Sequence, residues 1–163
     1  MFDFKSEATT KAEIWADVLS AAEAVTAGEP DVIANMANVS AILFHGLHDL
    51  NWAGFYRMVG GELVLGPFQG KAACIRIALG KGVCGTAAST GETQLVEDVH
   101  AFPGHIACDA DSRSELVVPL LHEGQVIGVI DLDSPTPARF DVEDARGCEA
   151  LAALMTSNMG VSE

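Results

Sequence analysis

Two glycine-bearing turns constrain this chain most. Gly60-Gly61 separates an aromatic segment, NWAGFYRMV at 51–59, from a second strand-like segment at 62–68. Glu123-Gly124 separates two apolar segments, 115–122 and 125–131. Two-residue turns of this chemistry close hairpins, because their positive φ angles match the right-handed twist of the flanking strands. A parallel pair would need a crossover of a dozen or more residues. Both pairs must therefore be antiparallel neighbours. Shorter strand-like segments at 73–79 and 93–96 complete a set of strands that turns and loops separate.

Helices precede, interrupt and follow these strands. Thr10 and Glu13 form a capping-box pattern ahead of a helix at 11–27, with Ile14, Val18, Ala21, Ala22 and Val25 on one face. Gly28, Glu29 and Pro30 break it, and Pro30 suits the first turn of a second helix at 31–48. The buried face of that helix is expected to hold Ile33, Met36, Ala37, Ser40, Leu43, Phe44 and Leu47. Gly80-Lys81-Gly82 turns the chain into a short helix at 83–90, which Gly91 ends. Residues 97–114 form a loop of a length that is usually functional or disordered, and Phe102, Pro103 and Ile106 argue for packing. A last helix spans 141–158. This order predicts an α+β fold, an antiparallel sheet packed by helices. A length of 163 residues, 49% hydrophobic, suits one domain over 1–163 with a real core.

Charge narrows the partners. Nine Lys and Arg against 23 Asp and Glu leave a net charge of −14, which repels phosphate backbones and argues against nucleic acid. The same excess favours a ligand carrying an ammonium group. No apolar run reaches the ~18 residues of a membrane span. The start, MFDFKSEATTKAE, lacks a secretory pattern, so the expected location is the cytoplasm. In a reducing compartment, four cysteines point to catalytic, metal or core roles rather than a static disulfide frame.

Three of those cysteines, Cys74, Cys84 and Cys108, lie between residues 72 and 115 with His100 and His105. Cys108 sits in a loop rich in Asp, Gly, Pro and His rather than among Leu, Val and Ile, which suggests a thiol redox site. The segment from Gly80 to Gly85 matches G-x-G-x-x-G, but the dinucleotide reading needs a parallel βαβ unit that antiparallel neighbours deny. The free amides of that helix start instead suit a carboxylate, or an ionised Cys84. The cysteine and histidine spacings match no zinc pattern, and His100 and His105 read best as loop hydrogen-bonders. Cys148 lies with Val142, Ala145, Ala152 and Met155 on the apolar face of the last helix, a core position.

Trp52 and Tyr56 share one face of the first strand, where they either pack in the core or line a pocket. Glu115 opens one strand of the second hairpin, and Asp131 and Asp133 end the other, so the three carboxylates should cluster at the end opposite the turn. Clustered carboxylates raise one another's pKa and leave one able to donate a proton near neutral pH.

NWAGFY, LGPFQGKAACIRI, GKGVCGTAASTGETQLVEDVHAFPGHIACDADSRSE and GVIDLDSP together resemble the free methionine-(R)-sulfoxide reductases, stand-alone GAF-domain enzymes. The resemblance runs over about residues 10–160 and implies a GAF-like, six-stranded antiparallel sheet flanked by helices, and a homodimer. It implies that Cys108 is the catalytic cysteine, with Cys84 and Cys74 as resolving or recycling cysteines. It implies that Trp52 receives the substrate's methyl group, and that Glu115, Asp131 and Asp133 bind the substrate or help protonate it. Backbone amides around Ile106 and Ala107, and at the Cys84 helix start, are the candidate carboxylate holders, with Tyr56 beside Trp52. No metal or organic cofactor is implied, and thioredoxin or a similar dithiol is the expected reductant. Local chemistry alone would nominate Cys84 as the most acidic thiol, whereas the resemblance assigns attack to Cys108. The expected product of one turnover is a Cys84–Cys108 disulfide. The competing reading is a regulatory GAF module that binds a small ligand and uses its cysteines as redox sensors.

Overall fold

The computed structural model describes residues 4, 6–106 and 108–161. Two helices, α1 (Lys11–Thr26) and α2 (Val32–Gly46), open the chain. Strands β1 (Trp52–Val59), β2 (Glu62–Gly70) and β3 (Arg76–Ile77) follow, then α3 (Gly82–Thr90) and β4 (Gln94–Val96). The chain closes with β5 (Ser114–His122), β6 (Gln125–Ser134) and α4 (Val142–Ser157). The six strands form one sheet in the order β3-β2-β1-β6-β5-β4, and every neighbouring pair is antiparallel. No βαβ unit exists in that sheet, which removes the dinucleotide reading of the Gly80–Gly85 turn.

Side-chain alternation along the central strands divides the core in two. Ala53 and Phe55 of β1, Leu116, Val118 and Leu120 of β5, and Ile130 and Leu132 of β6 face α1, α2 and α4. Trp52, Tyr56, Val117 and Val129 face the other way and pack with Val83, Cys84, Ala87 and Ala88 of α3. The period of two in a strand makes this partition automatic once the register is set. Cys148 is fully buried in the first of these cores, as its helix position suggested.

Several expectations need correction. The segment 73–79 is mostly irregular, and only Arg76–Ile77 pairs with β2. On α2, Ile33 is 48% exposed and Ala37 is also exposed, while Val39 and Ile42 take buried places. Val142 on α4 is 55% exposed because it stands at the helix start, outside the packed stripe. The loop after β4 is not wholly irregular, since Val99–Ala101 makes a 3₁₀ turn.

One buried carboxylate ties the outer helices together. Asp144, in the first turn of α4, is 2% exposed. Its oxygens accept from the Trp15 indole N–H at 3.0 Å, Lys11 Nζ at 2.6 Å and the Asp141 backbone N–H at 3.0 Å. The last of these closes a capping box with Asp141. Trp15 lies so close to the α4 backbone that a Cβ added at Gly147 would sit 2.2 Å from its ring, so only glycine fits. Asp144→Ala leaves the indole N–H unpaired and removes the carboxylate that Arg139 Nη1 meets at 3.5 Å. It should destabilise the fold by about 3 kcal/mol. Denaturant unfolding checks this, and a loss under about 1 kcal/mol would show that the tie is only a surface ion pair.

Candidate active site

The site forms where β1, β6 and β5 meet α3 and the loops after β2 and β4. Register places its parts in one row. Trp52 of β1 is opposite Asp133 of β6, and Asp133 is in turn opposite Glu115 of β5. Asp131 stands two residues back on the same face, opposite Val117. The carboxylate cluster expected from the hairpin ends is therefore present, on the face that α3 covers. The pocket is lined by Trp52, Tyr56, Cys84, Ile106, Cys108, Glu115, Asp131 and Asp133, so the structure brings together every described residue of the sequence reading except Cys74. Cys74 reaches the site through its bond to Cys108. Ala107 lies outside the described residues.

Aromatic side chains build the wall and hold the loop above it. Trp52 stacks on Phe68 at 5.1 Å and on Tyr56 at 5.9 Å between ring centroids. The Trp52 indole N–H donates to the Lys71 carbonyl at 3.1 Å, and the Tyr56 hydroxyl donates to the Cys74 carbonyl at 2.9 Å. Both rings are 2% exposed, so they are at once core and pocket lining. Burial is the main cause that pushes the Tyr56 hydroxyl far above its ordinary pKa, with Asp131 adding to it. It remains a donor at any ordinary pH.

The acids are held unusually dry. Glu115 is 7% exposed and Asp131 is 5% exposed. Burial, then the neighbouring Asp131 and Asp133, push Glu115 well above the usual carboxylate range. Burial, then Asp131 and Asp109, do the same to Asp133. Asp131 rises less, to about 6, because hydrogen bonding with Glu115 and Cys84 counters its desolvation. Of the three, Asp131 is held nearest the ordinary carboxylate range, while burial and negative neighbours shift Glu115 and Asp133 further toward the protonated form, the form that can donate. Asp131 Oδ1 is buried and has no hydrogen-bond partner among the described residues. Asp131 is also one of the residues that line the pocket.

The cysteines correct two expectations. The disulfide joins Cys74 and Cys108, not Cys84 and Cys108. Cys84 is a free, buried thiol, 3.8 Å from Glu115 Oε1. It is not a favoured thiolate either. Burial, then Asp131, Glu115 and Asp133, push it well above its ordinary value. Three carboxylates and the loss of water outweigh the helix-end field, which amounts to only a fraction of a charge. Cys84, Glu115 and Asp131 also place one potential ligand atom each within 4.8 Å of one another, a set unlike the sulfur and imidazole group that the sequence offered.

The helix start retains its anion-holding character. α3 begins at Gly82, and the first amides of a helix have no intrahelical acceptor. Gly82 has φ +62°, and a Cβ there would meet the Ile106 side chain at 3.2 Å, so glycine both permits the turn and leaves the loop close. Gly82 and Val83 line the pocket next to Cys84. His105 lines it too, with its pKa lowered by burial and by nearby His100.

Sequence reasoning passed over Lys71, Asp109 and Ser112, which also line the pocket, and Asn51, which bonds to the last two. Adjacency to Cys108 was the available signal for Asp109, and adjacency to Trp52 for Asn51. Nothing local marks Lys71 or Ser112, whose places depend on how two loops fold over one pocket.

Comparison with known proteins agrees with this geometry. A family model described as a GAF domain matches residues 33–159. The chain is 49% identical to the free methionine-R-sulfoxide reductase of Escherichia coli over 94% of this chain and 93% of that one. It is 46% identical to the free methionine-R-sulfoxide reductase of Saccharomyces cerevisiae over 91% of this chain and 87% of that one. The solved free methionine-R-sulfoxide reductase from Neisseria meningitidis, in complex with its substrate, superposes with a TM-score of 0.94 at 44% identity, over 98% of this chain and 96% of that one. Among the described residues, no helix is long and apolar enough to cross a membrane. The chain, a GAF sheet that gathers three carboxylates on one face beside the Cys74–Cys108 disulfide and is matched along nearly its whole length by such enzymes, belongs to the free methionine-R-sulfoxide reductases of the GAF domain family.

Proposed function

We infer that the protein reduces free L-methionine-(R)-sulfoxide to L-methionine with its own thiols. The observation that carries this reading is the meeting, in one pocket, of Cys108, the Glu115 and Asp133 carboxyl groups, both shifted upward in pKa, and the Trp52 wall. A sulfoxide oxygen leaves sulfur only when it is protonated or strongly hydrogen-bonded, and a carboxylic acid with a raised pKa can supply that proton. The Cys108 thiolate attacks the sulfoxide sulfur, the oxygen passes to the cysteine with one proton, and methionine departs. The substrate sulfur gains two electrons and Cys108 becomes a sulfenic acid. A second thiol then displaces the oxygen as water and closes a disulfide. The Cys74–Cys108 bond supports Cys74 as that thiol.

Glu115 and Asp133 are assigned to proton donation and Asp131 to the substrate ammonium. Trp52, with Tyr56 behind it, receives the S-methyl group. The amides of Gly82 and Val83, with those around Ile106 and Ala107, hold the carboxylate. Cys84 is assigned to hydrogen bonding within the acid cluster rather than to attack. External recycling is proposed to come from thioredoxin or a similar dithiol protein, whose two thiols leave as a disulfide while Cys74 and Cys108 are regained. Every step runs on thiols and carboxyl groups of the chain and reductant, without metal or organic cofactor. A cytoplasmic location and a homodimer complete the proposal. Catalytic turnover separates this reading from a redox-sensing module, which would be oxidised only stoichiometrically.

Three outcomes test it. Cys108→Ser should abolish turnover, Cys74→Ser should release about one methionine per chain before stopping, and Cys148→Ser should keep most activity. A Cys74→Ser variant that recycles with a dithiol protein at the wild-type rate would remove Cys74 from the cycle.

Glu115→Gln should lower kcat by about 10²–10⁴, the usual worth of a general acid. Glu115 also links pH to stability. Its folded pKa lies above its unfolded value, so the proton it holds favours the fold at low pH. That contribution is lost as pH rises through the folded pKa. Glu115→Gln should therefore flatten the fall in stability as pH rises from the ordinary carboxylate range through the raised folded value, in unfolding measured across pH. An unchanged pH profile together with a wild-type rate would show that Glu115 is a bystander.

Charges at both ends of the substrate should be read. A methionine sulfoxide capped at amine and carboxyl leaves Asp131 and the helix-start amides unpaired, and such losses discriminate by about 10⁴–10⁵. Comparing kcat/KM for the free and doubly capped compounds tests this. Equal values would move the activity to protein repair.

A further inference from the structure

The nucleophile stands on a turn, residues 108–112, that is tied down in three ways. One is the Cys74–Cys108 disulfide, which pins the turn to the segment after β2. It exists only in the oxidised protein, whereas the attacking form is the reduced one. The turn must then be held by something that survives reduction. Among the described residues, two side-chain links from this turn to the rest of the chain remain. Lys71 Nζ meets Asp111 Oδ2 at 2.6 Å, but the two side chains are 71% and 61% exposed, so water and salt weaken the pair. The other link is Asn51. Its Nδ2 donates to Asp109 Oδ2 at 3.0 Å and to Ser112 Oγ at 3.0 Å. Both amide hydrogens are thus spent on the turn. Ser112 is 6% exposed, so this link is shielded as the lysine link is not.

Asn51 is itself fixed to the acid-bearing strand. It immediately precedes β1, and its backbone N–H donates to the Asp133 carbonyl at 3.0 Å. One residue therefore connects the backbone of a pocket acid to both ends of the turn after Cys108. Among the described residues, its buried Oδ1 has no partner. A tie chosen for stability alone would not bury an unsatisfied acceptor. The side chain is oriented to donate twice in one direction.

We propose that Asn51 is a positioning residue that keeps the Cys108 turn registered on the Glu115–Asp133 pair when the Cys74–Cys108 bond is reduced. It touches neither sulfur nor substrate. Its effect is to hold the thiolate at attacking distance and in line with a sulfoxide whose oxygen faces the acids. The proposal rests on the reductase reading for its kinetic consequence, but its structural consequence can be read without any substrate.

The test uses the full chain with Asn51→Ala, in reduced and oxidised forms. Hydrogen–deuterium exchange of residues 108–113 should be much faster in the reduced variant than in reduced wild type, and similar in the two oxidised proteins. The rate of methionine release in the first turnover should fall about tenfold to a hundredfold, the penalty for a misplaced reacting group, with KM for the sulfoxide within about threefold of wild type. Ser112→Ala removes one of the two bonds from the turn side and should give a smaller loss of the same kind, which keeps the question open to measurement if Asn51→Ala folds poorly. Exchange that rises equally in both redox forms would reduce Asn51 to a structural residue. First-turnover rates within threefold of wild type in both variants would overturn the positioning role. If wild-type protein released no methionine, the reductase reading itself would fail, while the exchange comparison would still decide whether Asn51 holds the turn.

Discussion

The antiparallel register between β5 and β6 is the constraint on which the rest of the site depends. It sets Glu115 opposite Asp133 and Val117 opposite Asp131, so three carboxylates fall on one face of the sheet. The pairing of β1 with β6 then adds Trp52 to the same row. A one-residue slip of β6 would send Asp131 and Asp133 into the apolar core under α1, α2 and α4 and Ile130 and Leu132 toward α3, and a slip of β5 would do the same to Glu115 and Leu116. The apolar residues between the acids therefore enforce the chemistry. The register that buries them is the one that gathers the carboxylates.

Gathering alone would not raise the acids far in water. α3 and the two loops above it exclude solvent, and burial is the first cause of the shift at Glu115, at Asp131 and at Asp133. The protein accepts a destabilising arrangement here, since the buried carboxyl groups of Glu115 and Asp131 oppose folding. The larger core on the other face offsets it, with the Asp144 tie securing the helices that cover that core. Stability and chemistry are thus separated onto opposite faces of one sheet, a division that lets a site keep strained electrostatics while the domain stays folded.

The same separation sorts the thiols. Cys148 belongs to the stable face and is inert through burial. Cys84 is on the reactive face but below the acids, where desolvation and negative neighbours keep it protonated. Cys74 and Cys108 lie in the loops above the pocket, half-buried and bonded to each other. Reactivity here follows access and local charge rather than the residue's place in a motif.

Much of this was legible in the chain itself. The Gly60-Gly61 and Glu123-Gly124 turns determined antiparallel hairpins, because only such turns match strand twist over two residues. The second hairpin in turn determined that Glu115, Asp131 and Asp133 would meet. The alternation around Trp52 and Tyr56 placed them on one face, and the apolar stripe of α4 placed Cys148 in the core. Local pattern suffices for these because each depends on residues close in sequence or joined by one short turn. The thiol pairing was not legible in that way. Helix-start chemistry favoured Cys84, and only the packed structure shows three carboxylates and no water around it, while the segment after β2 carries Cys74 to Cys108 across 34 residues of chain. The Asn51 link and the irregular path of 73–79 are of the same kind. Such features are decided by which loops lie over which strand ends. That is a balance of long-range packing and desolvation that no short stretch of sequence encodes.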